Sequence, residues 1–154
     1  MNEASGSPQV YLEIHVDAAP ETVFALLTEP TLMETWIAES VLADTRPGGR
    51  FRAEGILGTV EGTYLEVIPY TKVVFSWGGV EGLVPGQSTV EFTLEPKANG
   101  TLLRLRHYGL PQSVVEKHRQ VWIHSGLPKI KDAAEGRKPG ATCLSDTAAH
   151  AAVG

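Results

Sequence analysis

Beyond Trp36, turn-forming residues divide the chain into six short segments, three of which clearly alternate apolar with polar side chains. A period of two is typical of a strand with one buried and one solvated face. The predicted strands span about 39–45, 50–55, 59–68, 72–77, 87–95 and 101–108. The turns between them are rich in glycine, proline and asparagine. This arrangement predicts an antiparallel meander.

The three clearly alternating strands place their large apolar side chains on one parity. The residues of this parity are Val73, Phe75, Trp77, Val90, Phe92, Leu94, Leu103, Leu105 and the polar His107. The opposite parity predicts a solvated face with cross-strand ion pairs. Its charged residues are Glu91, Glu95, Arg104 and Arg106. In 59–68 both parities mix apolar with polar residues, so the sequence assigns no face to that strand.

One more strand and two short helices are predicted before the meander. Alternation from Val10 to Val16 is typical of a half-buried strand. Pro20 favours a helix start, because a proline's missing N–H has no intrahelical acceptor in the first turn. Pro30 interrupts this helix, and a second short helix carries Trp36.

A long helix is predicted from Ser113 to Ala134. Ser113 is its predicted N-cap, with Glu116 completing a capping box. Pro128 predicts a bend, since it removes a hydrogen bond and crowds a carbonyl of the preceding turn. Steps of 100° per residue bring six side chains within one helix face. They are Val114, Val115, His118, Val121, Trp122 and Ser125.

Together these elements predict an α+β domain in which a curved antiparallel sheet is wrapped around the long C-terminal helix, with two short helices after the first strand. Because a single helix does not fill a concave sheet, we expect a cavity between the two. The predicted boundaries are a flexible leader at 1–8, one domain at 9–137 and a flexible tail at 138–154. The tail is expected to contribute almost no core, because it has little apolar periodicity.

Composition excludes several classes of function. The net charge of −5 argues against nucleic acid as a partner, because phosphate binding requires a positive surface. The longest apolar run, Val23 to Leu27, is far shorter than the roughly twenty residues of a membrane span. The single Cys143 forms no internal disulfide, and the first residues do not resemble a signal peptide, so a cytoplasmic location is predicted. Without a phosphate-binding loop or a metal-binding motif, no cofactor and no metal site are predicted.

The predicted cavity contains the candidate ligand-binding residues, and no catalytic residue is assigned. They are Trp36, Phe51, Tyr64, Phe75, Trp77, Phe92, His107, His118, Val121, Trp122 and Ser125. An apolar cavity with a few polar side chains is the usual composition of a small-molecule site. The alternative interpretation is that the aromatic residues are core and that His107, His118 and Ser125 are satisfied within the protein. A histidine here is also a candidate general acid or base.

Several segments resemble the START-like (SRPBCC) superfamily, and within it the family of activator-of-heat-shock-protein-90-ATPase homologues. They are APETVF at 19–24, Trp36, RPGGRF at 46–51, GTYLEVIP at 62–69, VVFSW at 73–77, STV at 88–90, GTL at 100–102, HYGL at 107–110 and Trp122. Their order and spacing, over about residues 10 to 135, carry the resemblance. It implies the helix-grip fold and an apolar pocket. Val121, where the family often has glycine before the tryptophan, is expected to narrow that pocket.

The resemblance implies a protein that binds a small hydrophobic or aromatic molecule between sheet and C-terminal helix. One alternative is an enzyme of the cyclase, aromatase or hydrolase type that uses the same cavity, with His107 or His118 as acid or base. The other is a chaperone-interaction module, which the resemblance favours less because the chaperone-activating members carry an additional N-terminal domain. A homodimer stays open.

Overall fold

The computed structural model describes residues 9–80 and 82–147. The strands are β1 (Gln9–Val16), β2 (Ser40–Ala43), β3 (Arg50–Gly55), β4 (Gly58–Ile68), β5 (Lys72–Trp77), β6 (Ser88–Lys97) and β7 (Gly100–Tyr108). The helices are α1 (Pro20–Thr28), α2 (Pro30–Met33), α3 (Gln112–Val121) and α4 (Leu127–Ala134), with a π-helical turn at Trp122–Gly126 and a 3₁₀ turn at Cys143–Ser145. The predicted leader at 1–8 lies outside the described residues.

All seven strands form one antiparallel sheet in the order β1-β7-β6-β5-β4-β3-β2. The sheet and the C-terminal helical region confirm the predicted α+β helix-grip fold. The predicted inward face is confirmed, because each of its apolar residues on β5, β6 and β7 is at most 5% exposed. The predicted ion pairs are confirmed on the opposite face: Arg104 contacts Glu13 and Glu95, and Arg106 contacts Glu91.

A β-bulge explains why the sequence assigned no face to β4. The pairing of β4 with β5 shifts register between Tyr64 and Glu66. A bulge adds one residue to a strand and so reverses which parity faces inward. Val60 and Tyr64, before the bulge, are fully buried. No single parity therefore describes the strand.

The C-terminal helix covers one edge of the sheet as well as its concave face. Arg119 donates to the Gln9 carbonyl, with 3.2 Å between the nitrogen and the oxygen, and Lys131 donates to the His15 carbonyl at 2.9 Å. Both carbonyls belong to the edge strand β1. The two side chains therefore satisfy polar groups that an open edge would leave available to another strand.

The helix departs from its predicted form at its start. It begins at Gln112, and the capping position is held by Pro111, which makes no side-chain capping bond. The capping box predicted for Ser113 and Glu116 is therefore wrong. Glu116 instead accepts hydrogen bonds from Arg119 and Gln120, on the next turn of its own helix. Such pairs along a helix compete with capping for the same carboxylate.

The second departure lies before Pro128, where the sequence predicts a bend. The structure contains a π-helical turn at Trp122–Gly126, in which the N–H of Leu127 donates to the carbonyl of Trp122, five residues earlier. Pro128, which has no N–H to donate, follows as the second residue of α4. The π turn also ends the regular 100° spacing of side chains along the helix.

The prediction that the tail contributes almost no core is wrong for residues 142–146. The backbone N–H groups of Cys143 and Leu144 donate to the carbonyls of Trp36 and Ile37, at 2.7 and 2.9 Å. Both side chains are buried, and Leu144 packs in the hydrophobic core. Docking places this segment beside β3, where Leu144 contacts Gly55. Residues 148–154 lie outside the described part of the chain.

No helix in the described part of the chain is long and apolar enough to cross a membrane.

Candidate functional site

Eight rings meet between the sheet and the C-terminal helix, and we call them the aromatic cluster. Its members are Phe51, Tyr64, Phe75, Trp77, Phe92, His107, His118 and Trp122. Trp122 joins the helix to the sheet, with its ring centroid 5.6 Å from that of Trp77 and 5.8 Å from that of Phe92. All eight side chains are buried. The sequence placed each of them at the candidate site, and the fold brings them together.

A chain of hydrogen bonds fixes the polar centre of this cluster. The Trp122 indole N–H donates to His107 Nδ1, with 3.1 Å between the nitrogens. An indole nitrogen only donates, so Nδ1 carries no proton and Nε2 of a neutral His107 does. His107 Nε2 lies 2.8 Å from Ser88 Oγ, which donates its own proton to the Trp77 carbonyl at 2.8 Å. Every donor in this chain of hydrogen bonds, from Trp122 through His107 and Ser88 to the Trp77 carbonyl, therefore has one acceptor. We call this chain the relay.

The relay requires His107 to be neutral. A second ring proton, on Nδ1, would face the N–H of Trp122 with no acceptor between them. Burial lowers the pKa of His107 well below 6.5, and the neighbouring His118 lowers it further. His107 therefore stays uncharged at neutral pH, with both ring nitrogens bonded within the protein.

His118 lies edge-on to His107, with 5.2 Å between the ring centroids. Its Nδ1–H donates to the carbonyl of Val114, four residues earlier in α3, at 2.9 Å. This bond holds the imidazole against its own helix and turns the Nε2 edge away from that carbonyl. The two histidines predicted for the cavity are thus adjacent, one from the sheet and one from the helix.

Two buried hydrogen-bond donors of the cluster have no good acceptor among the described residues. The Trp77 indole N–H has no acceptor among the described residues. The fully buried Tyr64 hydroxyl is bonded to the Met33 sulfur, 4.0 Å away, and a thioether is a weak acceptor. Burial also raises the pKa of Tyr64, so the phenol keeps its proton. Buried polar groups are usually hydrogen-bonded, so each exception requires an explanation.

Three of the predicted site residues lie apart from this cluster. The Trp36 indole donates to the Leu26 carbonyl at 2.7 Å and anchors the segment after α2. Val121 is half-buried rather than inward-facing. Ser125 is buried but bonds Asp146, at 3.3 Å, in the docked C-terminal segment. The π turn separates Ser125 from His118, because the wheel that placed them together assumes an unbroken α-helix.

Sequence reasoning missed two residues that shape the site. Ser88 shares the inward parity of Val90 and Phe92, so its position was available from the alternation of β6. Gly126 lies against Trp122: a Cβ at this position would be 2.3 Å from the indole ring. The sequence gives no signal for this contact, because it depends on the rotamer of Trp122 and on the π turn.

Within residues 9–80 and 82–147, no group of three His, Cys, Asp or Glu side chains is arranged to hold a metal ion.

Comparison with known proteins supports the resemblance seen in the sequence. Residues 17–135 match the family described as Activator of Hsp90 ATPase homolog 1-like protein. The solution structure of an AHSA1-like protein from Rhizobium etli is 34% identical, with a TM-score of 0.68. That match covers 91% of this chain and 90% of the other.

More distant relatives share the fold. DynU16, encoded in the dynemicin biosynthetic locus, superposes with a TM-score of 0.75 at 21% identity, over 86% of this chain and 49% of that one. The Aha1 dimer from Colwellia psychrerythraea superposes with a TM-score of 0.72 at 20% identity, over 82% of this chain and 96% of that one.

A curated relative is longer than this chain. The mouse Activator of 90 kDa heat shock protein ATPase homolog 2 is 23% identical over 119 residues, which are 77% of this chain and 35% of the mouse protein. The chain thus spans about a third of the length of that relative. Since the family match covers most of the chain and a relative of similar length is 34% identical, the chain belongs to the Activator of Hsp90 ATPase homolog 1-like family.

Proposed function

We propose that the protein binds a small hydrophobic or aromatic molecule between the sheet and the C-terminal helix, at the aromatic cluster. Ring faces and neutral donors favour a flat, apolar ligand, because offset and edge-on ring contacts stabilise such a molecule. The place of DynU16 in a biosynthetic locus is compatible with a relative that handles small molecules.

Tyr64 carries this proposal. Its hydroxyl is fully buried and its acceptor is a thioether sulfur. A phenol buried without a good acceptor costs about 1–3 kcal/mol. A phenylalanine would fill nearly the same space without that cost. A ligand acceptor near Tyr64 would supply the missing interaction.

The enzyme alternative finds less support at His107. A general acid or base must exchange a proton with its substrate, whereas both nitrogens of His107 are bonded to Trp122 and Ser88. His118 stays a hypothesis for that role. The chaperone-interaction module stays the less favoured alternative and a homodimer stays open, although the Colwellia relative is described as a dimer. A cytoplasmic location stays a prediction.

Two measurements test the proposal. Native mass spectrometry of the protein purified from its own host should detect a retained small molecule. Titration with the neutral fluorophore N-phenyl-1-naphthylamine should show saturable binding of one probe per chain. A chain that retains no molecule and shows no saturable binding would contradict the proposal.

A variant pair connects the binding to Tyr64. Tyr64→Phe should keep or slightly raise the melting temperature and release the retained molecule more easily. Tyr11→Phe is the matched control, because the Tyr11 side chain is largely exposed. If Tyr64→Phe unfolds the domain, the hydroxyl is structural and the proposal loses its main support.

A further inference from the structure

We infer that the Trp77 indole N–H selects ligands that carry an uncharged hydrogen-bond acceptor, as in an aromatic ketone or quinone. The inference rests on the proposed function, because it names the ligand class of the same site. It assigns a specificity-determining role to one atom, Trp77 Nε1.

The three tryptophans differ in what their indole N–H groups contact. Trp36 donates to a backbone carbonyl at 2.7 Å, and Trp122 donates to His107 at 3.1 Å. Trp77 is only 5% exposed and has no acceptor within the described residues. Its N–H is therefore shielded from bulk solvent and, among those residues, lacks the partner that the other two indoles have.

The neighbours of Trp77 cannot easily supply that acceptor. Its ring is surrounded by Phe51, Phe75, His107 and Trp122, with centroid separations between 5.6 and 6.3 Å. The free lone pair of His107 is on Nδ1, which already accepts from Trp122. The Ser88 hydroxyl donates to the Trp77 carbonyl and faces the N–H of His107. An acceptor brought by a ligand would satisfy the indole.

The charges near the cluster indicate that this acceptor is neutral. Lys129 is the only lysine or arginine among the buried residues that the structure describes. Its ammonium group is already engaged by Asp146, at 3.2 Å, and by the Pro139 carbonyl, at 3.1 Å. His107 is held neutral by its hydrogen bonds. A ligand carboxylate beside the Trp77 N–H would thus be buried without a lysine or arginine to balance its charge, which is unfavourable.

Three probes of similar shape separate the contributions. They are 2-acetylnaphthalene, 2-ethylnaphthalene and 2-naphthoate, which carry a ketone, no acceptor and a carboxylate. We expect the wild-type protein to bind the ketone about tenfold more tightly than the hydrocarbon, the usual effect of one well-placed hydrogen bond. The carboxylate should bind most weakly. Equal affinities for ketone and hydrocarbon, or a preference for the carboxylate, would overturn the inference.

The variant Trp77→Phe removes the donor and keeps an aromatic ring. This variant should bind the ketone and the hydrocarbon with about equal affinity, because the hydrogen bond to the ketone is lost. Trp36→Phe is the control, because it removes the same number of atoms outside the aromatic cluster and should keep the ratio. A ketone preference that survives in Trp77→Phe contradicts the role of this N–H. Failure of all three probes to bind the wild type would instead contradict the proposed function.

A second measurement needs no stable Trp77 variant. The chain has three tryptophans, so an NMR spectrum of the ¹⁵N-labelled protein contains three indole signals. The Trp36→Phe and Trp122→Phe variants identify two of them, and the third belongs to Trp77. The ketone should move the Trp77 indole proton downfield, as a new hydrogen bond requires, and the hydrocarbon should not. An unchanged Trp77 signal in the ketone complex would overturn the inference.

Discussion

Gly126 lets the indole of Trp122 lie against its own helix. This contact fixes the position of the ring that joins the helix to the sheet. The backbone at Gly126 is helical, so alanine would suit the chain itself. The added Cβ, however, would lie too close to the indole of Trp122, so the ring or the backbone must shift.

We expect Gly126→Ala to lower the free energy of unfolding by about 1–3 kcal/mol, the usual cost of overpacking. Urea denaturation measures this loss. The same substitution in a Trp122→Leu background is the control, because the obstructing ring is then absent. An equal cost in both backgrounds would show that the ring is not the cause.

Ser88 is the second residue whose effect can be isolated. Ser88→Ala would leave the Nε2–H of His107 buried without its acceptor. We expect a loss of about 1–3 kcal/mol in the free energy of unfolding. The neighbouring Thr89→Ala, on the opposite face of β6, should cost clearly less. Similar losses for both would indicate that strand propensity, rather than the relay, explains the effect.

At the scale of elements, local signals predicted the strands well and the C-terminal region poorly. The bounds of β3 and β5 follow directly from alternation and turns, because both are set by neighbouring residues. The π turn at Trp122–Gly126 leaves the regular spacing on which the helix prediction rests. The docking of residues 142–146 depends on distant partners such as Ile37 and Ser125. Periodicity contains no record of such contacts.

The aromatic cluster likewise contains residues that local patterns placed correctly and lacks one that they placed wrongly. Phe75, Trp77, Phe92 and His107 were placed together because β5, β6 and β7 alternate. The helix wheel correctly added His118 and Trp122, which precede or begin the π turn. Ser125 lies within that turn, and there the regular wheel no longer describes the side chains.

The docked C-terminal segment offers a prediction for one element. Leu144→Ala should lower the free energy of unfolding by about 2–4 kcal/mol, because the side chain is buried against β3. Leu42→Ala is a matched control, since Leu42 is about half exposed and should cost little. Equal unfolding midpoints for the Leu144 variant and the wild type would mean that the segment does not pack as described.

At the scale of the whole molecule, the pH dependence of stability should distinguish the contribution of buried His107 from that of an ion-paired carboxylate. The unfolded chain binds a proton at His107 near pH 6.5, whereas burial and the adjacent His118 keep the folded residue neutral well below that value. Since the unfolded state then binds more protons, the free energy of unfolding falls as pH drops below 6.5, and it is fully retained above. The slope for one such group is at most about 1.4 kcal/mol per pH unit.

The ion-paired carboxylate of Glu135 behaves differently, so the two groups can be distinguished. The hydrogen bond from Lys131 lowers the pKa of Glu135 to about 2, from 4.5. Its stabilisation is present above pH 4.5 and is lost only as the pH falls from there towards 2. It therefore does not contribute to a change between pH 5 and 7.

Urea denaturation between pH 5 and 7.5 tests the contribution of His107. His107→Gln should be less stable than the wild type at every pH, because the relay is broken, but its stability should fall less steeply below pH 6.5. His124→Gln is the control, because His124 is exposed and bonds Gln120, and it should keep the wild-type slope. If His107→Gln also keeps that slope, the neutral state of His107 is not what makes the folded protein sensitive to acid.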